Sequence, residues 1–409
     1  MNGVKQLEKG EAMKYAVLIG DGMADYPIDK LGGRTILQAA RTPAMDSIAA
    51  RGKTGLAKTV PDGFPPGSDV ANMSILGYDP AAYYSGRAPL EAASMGVALA
   101  ADDVAFRCNL ITIENGKIKD YSAGHISSDE AEILIETLDS ELRTDKVRFY
   151  PGISYRHLIV AANNFGAETE CTPPHDITGE RKDSYLPRGK DGDFFSGLIE
   201  ASTVVLGLHP VNLKRVQEGK NPANSIWVWG QGYAPKFTSF QELYRKKGAI
   251  ISAVDLLKGI GIYAGLDVIE VPGATGYLDT NYEGKASAAI KALKTRDLVF
   301  LHVEAPDEAG HEGSIEKKLK AVEDFDSRIV APILKHAETS DEPFTILVLP
   351  DHPTPISIKT HTKDPIPFAV YRTDKPDKDS VKTFDEESVK NGSMGLVKAS
   401  DLIGMIVKG

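Results

Sequence analysis

Residues 297–311 read DLVFLHVEAPDEAGH, an almost wholly apolar run that gives way at once to Glu304, Asp307, Glu308 and His311. A short continuous apolar run suits a strand buried on both faces of a parallel sheet; a strand with one wet face would alternate. The same change of character occurs twice more. Residues 15–19 (YAVLI) run into Gly20, Asp21 and Gly22, and residues 344–349 (FTILVL) run into Pro350, Asp351, His352 and Pro353. Helix-patterned stretches lie at 284–294 and 314–337, and 248–271 reads as strand, helix, strand. This alternation predicts an α/β fold, a doubly wound sheet domain built from the two ends of the chain.

Working outward, the middle of the chain has another texture. Two alternating runs flank Asn115-Gly116 within 103–119, and Asn-Gly is the strongest short hairpin signal. A further strand pair is expected over 147–161, before a stretch rich in Pro, Gly and charge from Thr172 to Gly192. The expected organisation is therefore a discontinuous domain, 1–94 and 236–409, carrying an inserted smaller α+β domain over 95–235.

Composition narrows the function. With 47 Lys+Arg against 57 Asp+Glu among 409 residues, the formal net charge is −10, which argues against nucleic-acid binding through bulk positive charge. An anionic substrate must then be held by a local cluster of cations or metals. Cys108 and Cys171 are too few for a disulfide scaffold or a thiolate zinc site and read as reduced thiols. No run of eighteen apolar residues occurs, and residues 1–14 mix Lys and Glu without an apolar core, so they read as a solvated tail. A cytoplasmic protein with neither a membrane nor a nucleic-acid partner is expected.

Ligands of open α/β sheets bind outside the carboxyl ends of the strands, so three polar strand ends would share one crevice. Asp307 and His311 are four apart, which one helical turn places on a common face. Asp351 and His352 are adjacent on a turn, and His361 follows nine residues after His352. A carboxylate and imidazole set without thiolate suits Mn²⁺, Zn²⁺ or Mg²⁺. Two such ions would clamp the attacking and leaving oxygens of a displacement at phosphorus. Taken singly, a strand-end Asp is usually a turn former and a lone His a core residue; their convergence favours metal. Ser68, in GFPPGSDVANMS, reads as a helix N-cap beside the positive helix end, where a phosphate is favoured and a coordinated hydroxyl becomes a nucleophile. No Gly-rich phosphate loop occurs.

GDGMADYP, GSDVANMSILGYDP, EAPDEAGHEG and LPDHPTP followed by THT together resemble the archaeal-type 2,3-bisphosphoglycerate-independent phosphoglycerate mutases. These belong to the alkaline phosphatase-like metalloenzyme superfamily, and the resemblance covers the chain after Met13. It implies interconversion of 3-phosphoglycerate and 2-phosphoglycerate through a phosphoserine at Ser68. It further implies two divalent cations, manganese foremost with Mg²⁺, Co²⁺ or Zn²⁺ as alternatives, and no 2,3-bisphosphoglycerate. Asp307, His311 and His361 would ligate one ion; Asp21, Ser68, Asp351 and His352 the other. The insert would bind the glycerate, with His125, Arg156, Asp176 and Arg181 as substrate contacts, and Lys258 would contact phosphate. The segments DYSAGHIS and NPANSIWVWGQG resemble a branch for which homoserine kinase has been proposed. That kinase, or a metal-dependent phosphomonoesterase, is the alternative reading on the same scaffold.

Overall fold

The computed structural model describes residues 13–375 and 377–408. The tail expected over 1–14 lies outside the described residues as far as residue 12, and Lys14 is already the buried first residue of a strand. In chain order the strands are β1 (Lys14–Gly20), β2 (Lys53–Lys58), β3 (Val104–Glu114), β4 (Lys117–Asp120), β5 (Val147–Tyr150), β6 (Arg156–Ala161), β7 (Thr169–Glu170), β8 (Arg188–Gly189) and β9 (Ser225–Tyr233). Beyond these come β10 (Gly248–Ile251), β11 (Asp267–Val268), β12 (Leu298–Val303), β13 (Phe344–Leu349), β14 (Ile366–Arg372) and β15 (Gly395–Lys398).

The chain divides into two units, one taking in residues up to Tyr84 and again from Phe237, the other Ser85–Lys236. The first unit holds an eight-stranded sheet in the order β11-β10-β12-β1-β13-β14-β2-β15. Every residue of β1, β12 and β13 is buried, the state their unbroken apolar runs demand. Ala16, Leu301 and Ile346 pack with Ile48, Phe325 and Ile333 in the main core, while Val17, Phe300 and Leu347 are buried on the other face. There Phe240 meets Phe300 edge-on at 5.8 Å.

Register decides where the polar strand ends fall. β1 runs parallel to both neighbours, with Gly20 opposite Val303 and Ile19 opposite Leu349. Asp21, Glu304 and Asp351 therefore leave the sheet at one level. β14 is antiparallel to β13, so the chain must turn back over that same sheet edge between Leu349 and Ile366. His361 stays near Asp351 for this reason.

The second unit is antiparallel. β3 is its spine, flanked by β6 and β9, with β4 joined to it by a hairpin whose turn residues Asn115 and Gly116 have φ of 53° and 72°. Two left-handed residues match the strand twist, and this is why Asn-Gly was informative. One face of the sheet packs Phe106, Cys108 and Leu110 against Leu134, Leu138, Phe195 and Ile199. On the other, Ala105 and Leu158 meet Ala88 and Ala92 of the helix Arg87–Ser94, which the composition reading had left outside the insert. Cys108 and Cys171 are both free thiols.

A π-helical turn, Asp326–Val330, interrupts the long helical stretch between Ile315 and Thr339. It carries Asp326 to the helix Pro43–Arg51, where the carboxylate accepts from the backbone N–H groups of Met45 at 2.7 Å and Ala44 at 3.2 Å. Thr42, at the N-cap position of that helix, makes no side-chain cap bond, so Asp326 supplies the missing acceptor from a distance in sequence. Burial pushes the Asp326 carboxyl up to about 6 against the pull of these two N–H donors. An acid whose folded pKa is raised holds its proton more tightly when folded, so stability falls as pH rises from the unfolded value toward 6. Asp326→Asn should remove that slope. The stability difference between variant and wild type, followed by urea midpoints from pH 4 to pH 7, should move toward the variant by about 3 kcal/mol, at roughly 1.4 kcal/mol per unit. A difference that stays constant with pH would show that Asp326 titrates like a surface carboxylate.

Candidate metal centre and nucleophile

Asp21 is the first residue beyond β1, held there by its N–H donating to the Val303 carbonyl at 2.9 Å. Gly22 follows with φ +62°, and a Cβ at that position would lie 2.6 Å from Asp307 Oδ1 and from Thr354 Oγ1. Glycine is needed here both for its conformation and for the approach of those two side chains. The Gly22 N–H donates to Asp351 Oδ1 at 3.1 Å, joining the ends of two strands. Asp307 and His311 lie on the helix Ala305–Glu312, with His311 Nε2 3.1 Å from Asp307 Oδ2. His361 Nε2 is 3.4 Å from Asp307 Oδ1 and 2.9 Å from His311 Nε2.

Ser68 departs only from the N-cap position expected for it. Gly67 is the N-cap and Ser68 the first residue of the helix Ser68–Ile75, so its hydroxyl does not cap. Instead Ser68 Oγ lies 3.1 Å from His352 Nε2. His352 Nε2 is in turn 3.5 Å from a carboxylate oxygen of Asp21 and from one of Asp351.

Among the described residues, three donor groups emerge in which the ligating atoms lie within 4.8 Å of one another: Asp307, His311 and His361; Asp21, Asp307 and His352; Asp21, His302 and Asp351. The first holds the three residues expected for one ion. The other two bring Asp21, Asp351 and His352 together and add His302.

The electrostatics call for cations. Burial, followed by the charges of Asp351 and Asp307, raises Asp21 well above the usual carboxylate range. Asp307 overcomes its burial through His311 and His361 and is held well below that range. Asp351 likewise overcomes burial, drawn down chiefly by His352 and His302. Desolvation lowers His352, and it takes His302 to about 4, so His302 is neutral near pH 7. Asp21 Oδ1 is buried with no hydrogen-bond partner among the described residues. Against the lowering effect of burial, Asp307 raises His311 to about 9, so a cation bound there would displace its proton. Converging carboxylates, the lowered His302 and His352 imidazoles and an orphaned buried oxygen fit divalent cations of the Mn²⁺, Mg²⁺ or Zn²⁺ type. His311 also presents the correct nitrogen: its Nδ1 lies 3.0 Å from the Lys359 carbonyl, which fixes that proton and leaves Nε2 for a ligand.

The sequence reading missed the groups that orient this set. Asn72 Nδ2 donates to Asp351 Oδ2 at 2.7 Å and to the Ser68 carbonyl at 2.9 Å. It lies four residues after Ser68, so the helical period was the available signal. Thr354 Oγ1 donates to Asp307 and sits 3.2 Å from His352 Nδ1. His302 Nε2 approaches Asp21 Oδ2 at 3.0 Å, with Ser252 Oγ 3.3 Å from its Nδ1. A histidine inside an otherwise apolar strand was the overlooked sign.

Of the five expected substrate contacts, four lie in the second unit and Lys258 in the first. In the second unit, exposed His125 lies 5.9 Å ring to ring from Tyr155, over which the Arg156 guanidinium sits at 5.5 Å. Tyr155, Tyr121, His175 and Trp229 continue as a chain of rings, and Asp176 is 3.6 Å from His175. Arg107 lies 4.2 Å over Trp229 and pairs with Glu91 at 2.9 Å. Burial lowers the Arg107 pKa, and among nearby charges Glu91 opposes this while Arg87 and Arg156 reinforce it, the mark of a cationic neighbourhood. Arg181 stands apart, paired with Asp183 at 2.8 Å beside the β3–β4 turn. Lys258 belongs to the first unit and pairs with Glu270 at 3.0 Å and Asp255 at 3.6 Å.

A family model described as 2,3-bisphosphoglycerate-independent phosphoglycerate mutase matches residues 49–212. A protein of that name from Methanosarcina acetivorans is 91% identical over 396 residues, covering 97% of this chain and 100% of the relative. Among solved structures, the PH0037 protein from Pyrococcus horikoshii superposes with TM-score 0.80 at 30% identity, over 97% of both chains. A cofactor-independent phosphoglycerate mutase from Thermoplasma acidophilum does so with TM-score 0.65 at 29% identity, over 97% of this chain and 99% of that one.

Asp307 belongs to two of the three donor groups, which makes it the sharpest probe of the centre. Mn²⁺ added to metal-stripped protein should raise the melting temperature, by the equivalent of about 2.7 kcal/mol at a hundredfold excess over Kd. Asp307→Asn should lose more than half of that shift. Equal shifts in variant and wild type, followed by differential scanning fluorimetry, would place the cation elsewhere.

Proposed function

Because the chain belongs to the family of 2,3-bisphosphoglycerate-independent phosphoglycerate mutases, we propose that it interconverts 3-phosphoglycerate and 2-phosphoglycerate through a phosphoserine at Ser68. The observation that carries this reading is the placement of Ser68 Oγ, 3.1 Å from His352 Nε2 at the edge of the buried carboxylate and imidazole cluster. One divalent cation held by Asp307, His311 and His361, and one held by Asp21, Ser68, Asp351 and His352, would neutralise phosphoryl oxygens and acidify the Ser68 hydroxyl.

Ser68 Oγ forms a bond to phosphorus as the bond from phosphorus to the glycerate oxygen breaks. The glycerate then presents its neighbouring hydroxyl, that oxygen takes the phosphoryl group back, and Ser68 is restored. The phosphoryl group is stored on the chain itself, so no bisphosphate is consumed or required. Water must be kept from phospho-Ser68 for as long as the glycerate turns.

Holding the glycerate needs a cation for its carboxylate. Arg156 is the side chain best suited among the expected contacts: it is exposed and makes no ion pair among the described residues, whereas Arg181 and Lys258 are already paired. We assign it the carboxylate and His125 the transferring phosphate. Asp176, beside His175 at the other end of the same chain of rings, is a further contact, and the inserted unit serves as the substrate-binding domain. Among the described residues no single helix is long and apolar enough to cross a membrane. We place the enzyme in the cytoplasm, where its phosphorylated substrates are retained, with manganese as its first metal. The mutase names of the close relatives support this over the kinase and phosphomonoesterase alternatives.

Ser68→Ala should abolish turnover of 3-phosphoglycerate, measured through a coupled enolase assay without 2,3-bisphosphoglycerate; a residual rate above a few per cent would refute the phosphoserine. Arg156→Ala should lower kcat/KM for 3-phosphoglycerate by roughly 30- to 150-fold, the scale of a charged hydrogen bond of about 2–3 kcal/mol. Hydrolysis of a small aryl phosphate, which needs no carboxylate grip, should change little. Wild-type enzyme that phosphorylates homoserine from ATP and lacks mutase activity would overturn the reading.

A further inference from the structure

The first unit contains a buried cation that the reaction does not use. Lys318, on the helix Ile315–Phe325, is fully buried, and so is its partner Asp25. Its Nζ donates to Asp25 Oδ2 at 2.8 Å, to the Thr354 carbonyl at 2.8 Å and to the Ala24 carbonyl at 3.2 Å, so all three protons are placed. Asp25 is held in turn by the N–H groups of Tyr26 at 2.8 Å and Ile356 at 3.3 Å. The Asp25 N–H donates to Glu386, which also accepts from Thr35 Oγ1.

A buried lysine–carboxylate pair is no more stabilising than well-packed apolar side chains of the same volume. The same helix buries Ala321, Val322 and Phe325 in the core, so an apolar residue at 318 would serve packing as well. What the ammonium does that no apolar group could is join three segments. Ala24 lies three residues beyond Asp21, Thr354 two beyond His352, and Lys318 follows the helix that carries Asp307 and His311 after the turn at Gly313. Thr354 is the junction. Its carbonyl is held by Lys318, while its hydroxyl donates to Asp307 and sits 3.2 Å from His352 Nδ1.

We propose that Lys318 is a positioning residue of the metal centre: by fixing Thr354 and Ala24 it aims Asp307 and His352 and holds the strand ends of Asp21 and Asp351 at their mutual spacing. It acts through Thr354 and touches neither substrate nor cation. This inference rests on the proposed function to the extent that the cluster binds divalent cations.

The test is Mn²⁺ titration of the metal-stripped chain by calorimetry, with the visible absorption of the Co²⁺-loaded protein as a second readout. Lys318→Met removes the charge at similar volume. Lys318→Met/Asp25→Asn removes both charges and so avoids leaving a buried carboxylate unpaired. Both variants should bind Mn²⁺ about 10- to 100-fold more weakly, the cost of losing an outer partner of a metal ligand, and should shift the Co²⁺ bands. The exposed neighbour variant Lys320→Met should do neither. Folded variants that bind within threefold of wild type would overturn the inference and leave the proposed function standing. Failure of the double variant to fold would also overturn it, because the ammonium would then support the whole domain. A wild type that takes up no Mn²⁺ would refute the metal reading itself, and this inference with it.

Discussion

Asp21, Asp307 and Asp351 are buried within one cluster, and their mutual repulsion is the constraint around which the first unit is built. Carboxylates so placed could not ionise together in an apolar core. Two answers are visible in the structure. Imidazoles and hydroxyls approach some of the oxygens, as His311, His361 and Thr354 do for Asp307. Other oxygens are left open, as Asp21 Oδ1 is, and that deficit is what a divalent cation would fill. The cluster is thus poised to bind cations because it is poorly satisfied without them.

Such a cluster needs a rigid frame, and the parallel sheet provides it. With β1 between β12 and β13 in fixed register, three strand ends arrive at one level with no freedom to spread. The antiparallel insertion of β14 then confines the segment carrying Asp351, His352 and His361 to the same edge. Close packing on both faces of the three central strands resists slippage, since a one-residue shift would exchange side chains of different size and shape between two filled cores. The geometry of the cluster is therefore maintained by hydrophobic burial at a distance from the polar groups themselves.

The second unit solves a different problem by different means. Its antiparallel sheet has one face committed to an apolar core, while the other carries Arg107 beside Arg156 and Asn109 across the β3–β6 pairing. Trp229 serves this face twice, donating from its indole nitrogen to Asn109 at 3.0 Å and lying beneath the Arg107 guanidinium. Glu91 compensates Arg107, whereas Arg156 lies over the Tyr155 ring, which holds a cation in place without neutralising it, so the Arg156 charge remains available to an anion. A net charge of −10 over the whole chain is compatible with an anionic substrate because these arginines are concentrated on one face.

Local pattern was enough for the strands of 15–19, 297–303 and 344–349, for the Asn115-Gly116 hairpin and for the helical pairing of Asp307 with His311, because each depends on neighbours in sequence. The motifs around Asp21, Ser68, Asp307, Asp351 and His361 were legible for the same reason. Local pattern misassigned Ser68 as a cap, since whether a hydroxyl turns to its own helix or to His352 depends on a residue 284 positions away. It passed over His302, Asn72, Thr354 and Lys318, whose partners are likewise remote in the chain. It gave no sign that Arg181 is engaged: the tertiary structure pairs Arg181 with Asp183, while Arg156 makes no ion pair among the described residues. By itself the sequence determined the strands, the class of fold and the chemistry gathered at the strand ends. The tertiary structure alone decided which oxygens and nitrogens meet, because hydrogen bonds are settled over a few ångströms of space and not by spacing along the chain.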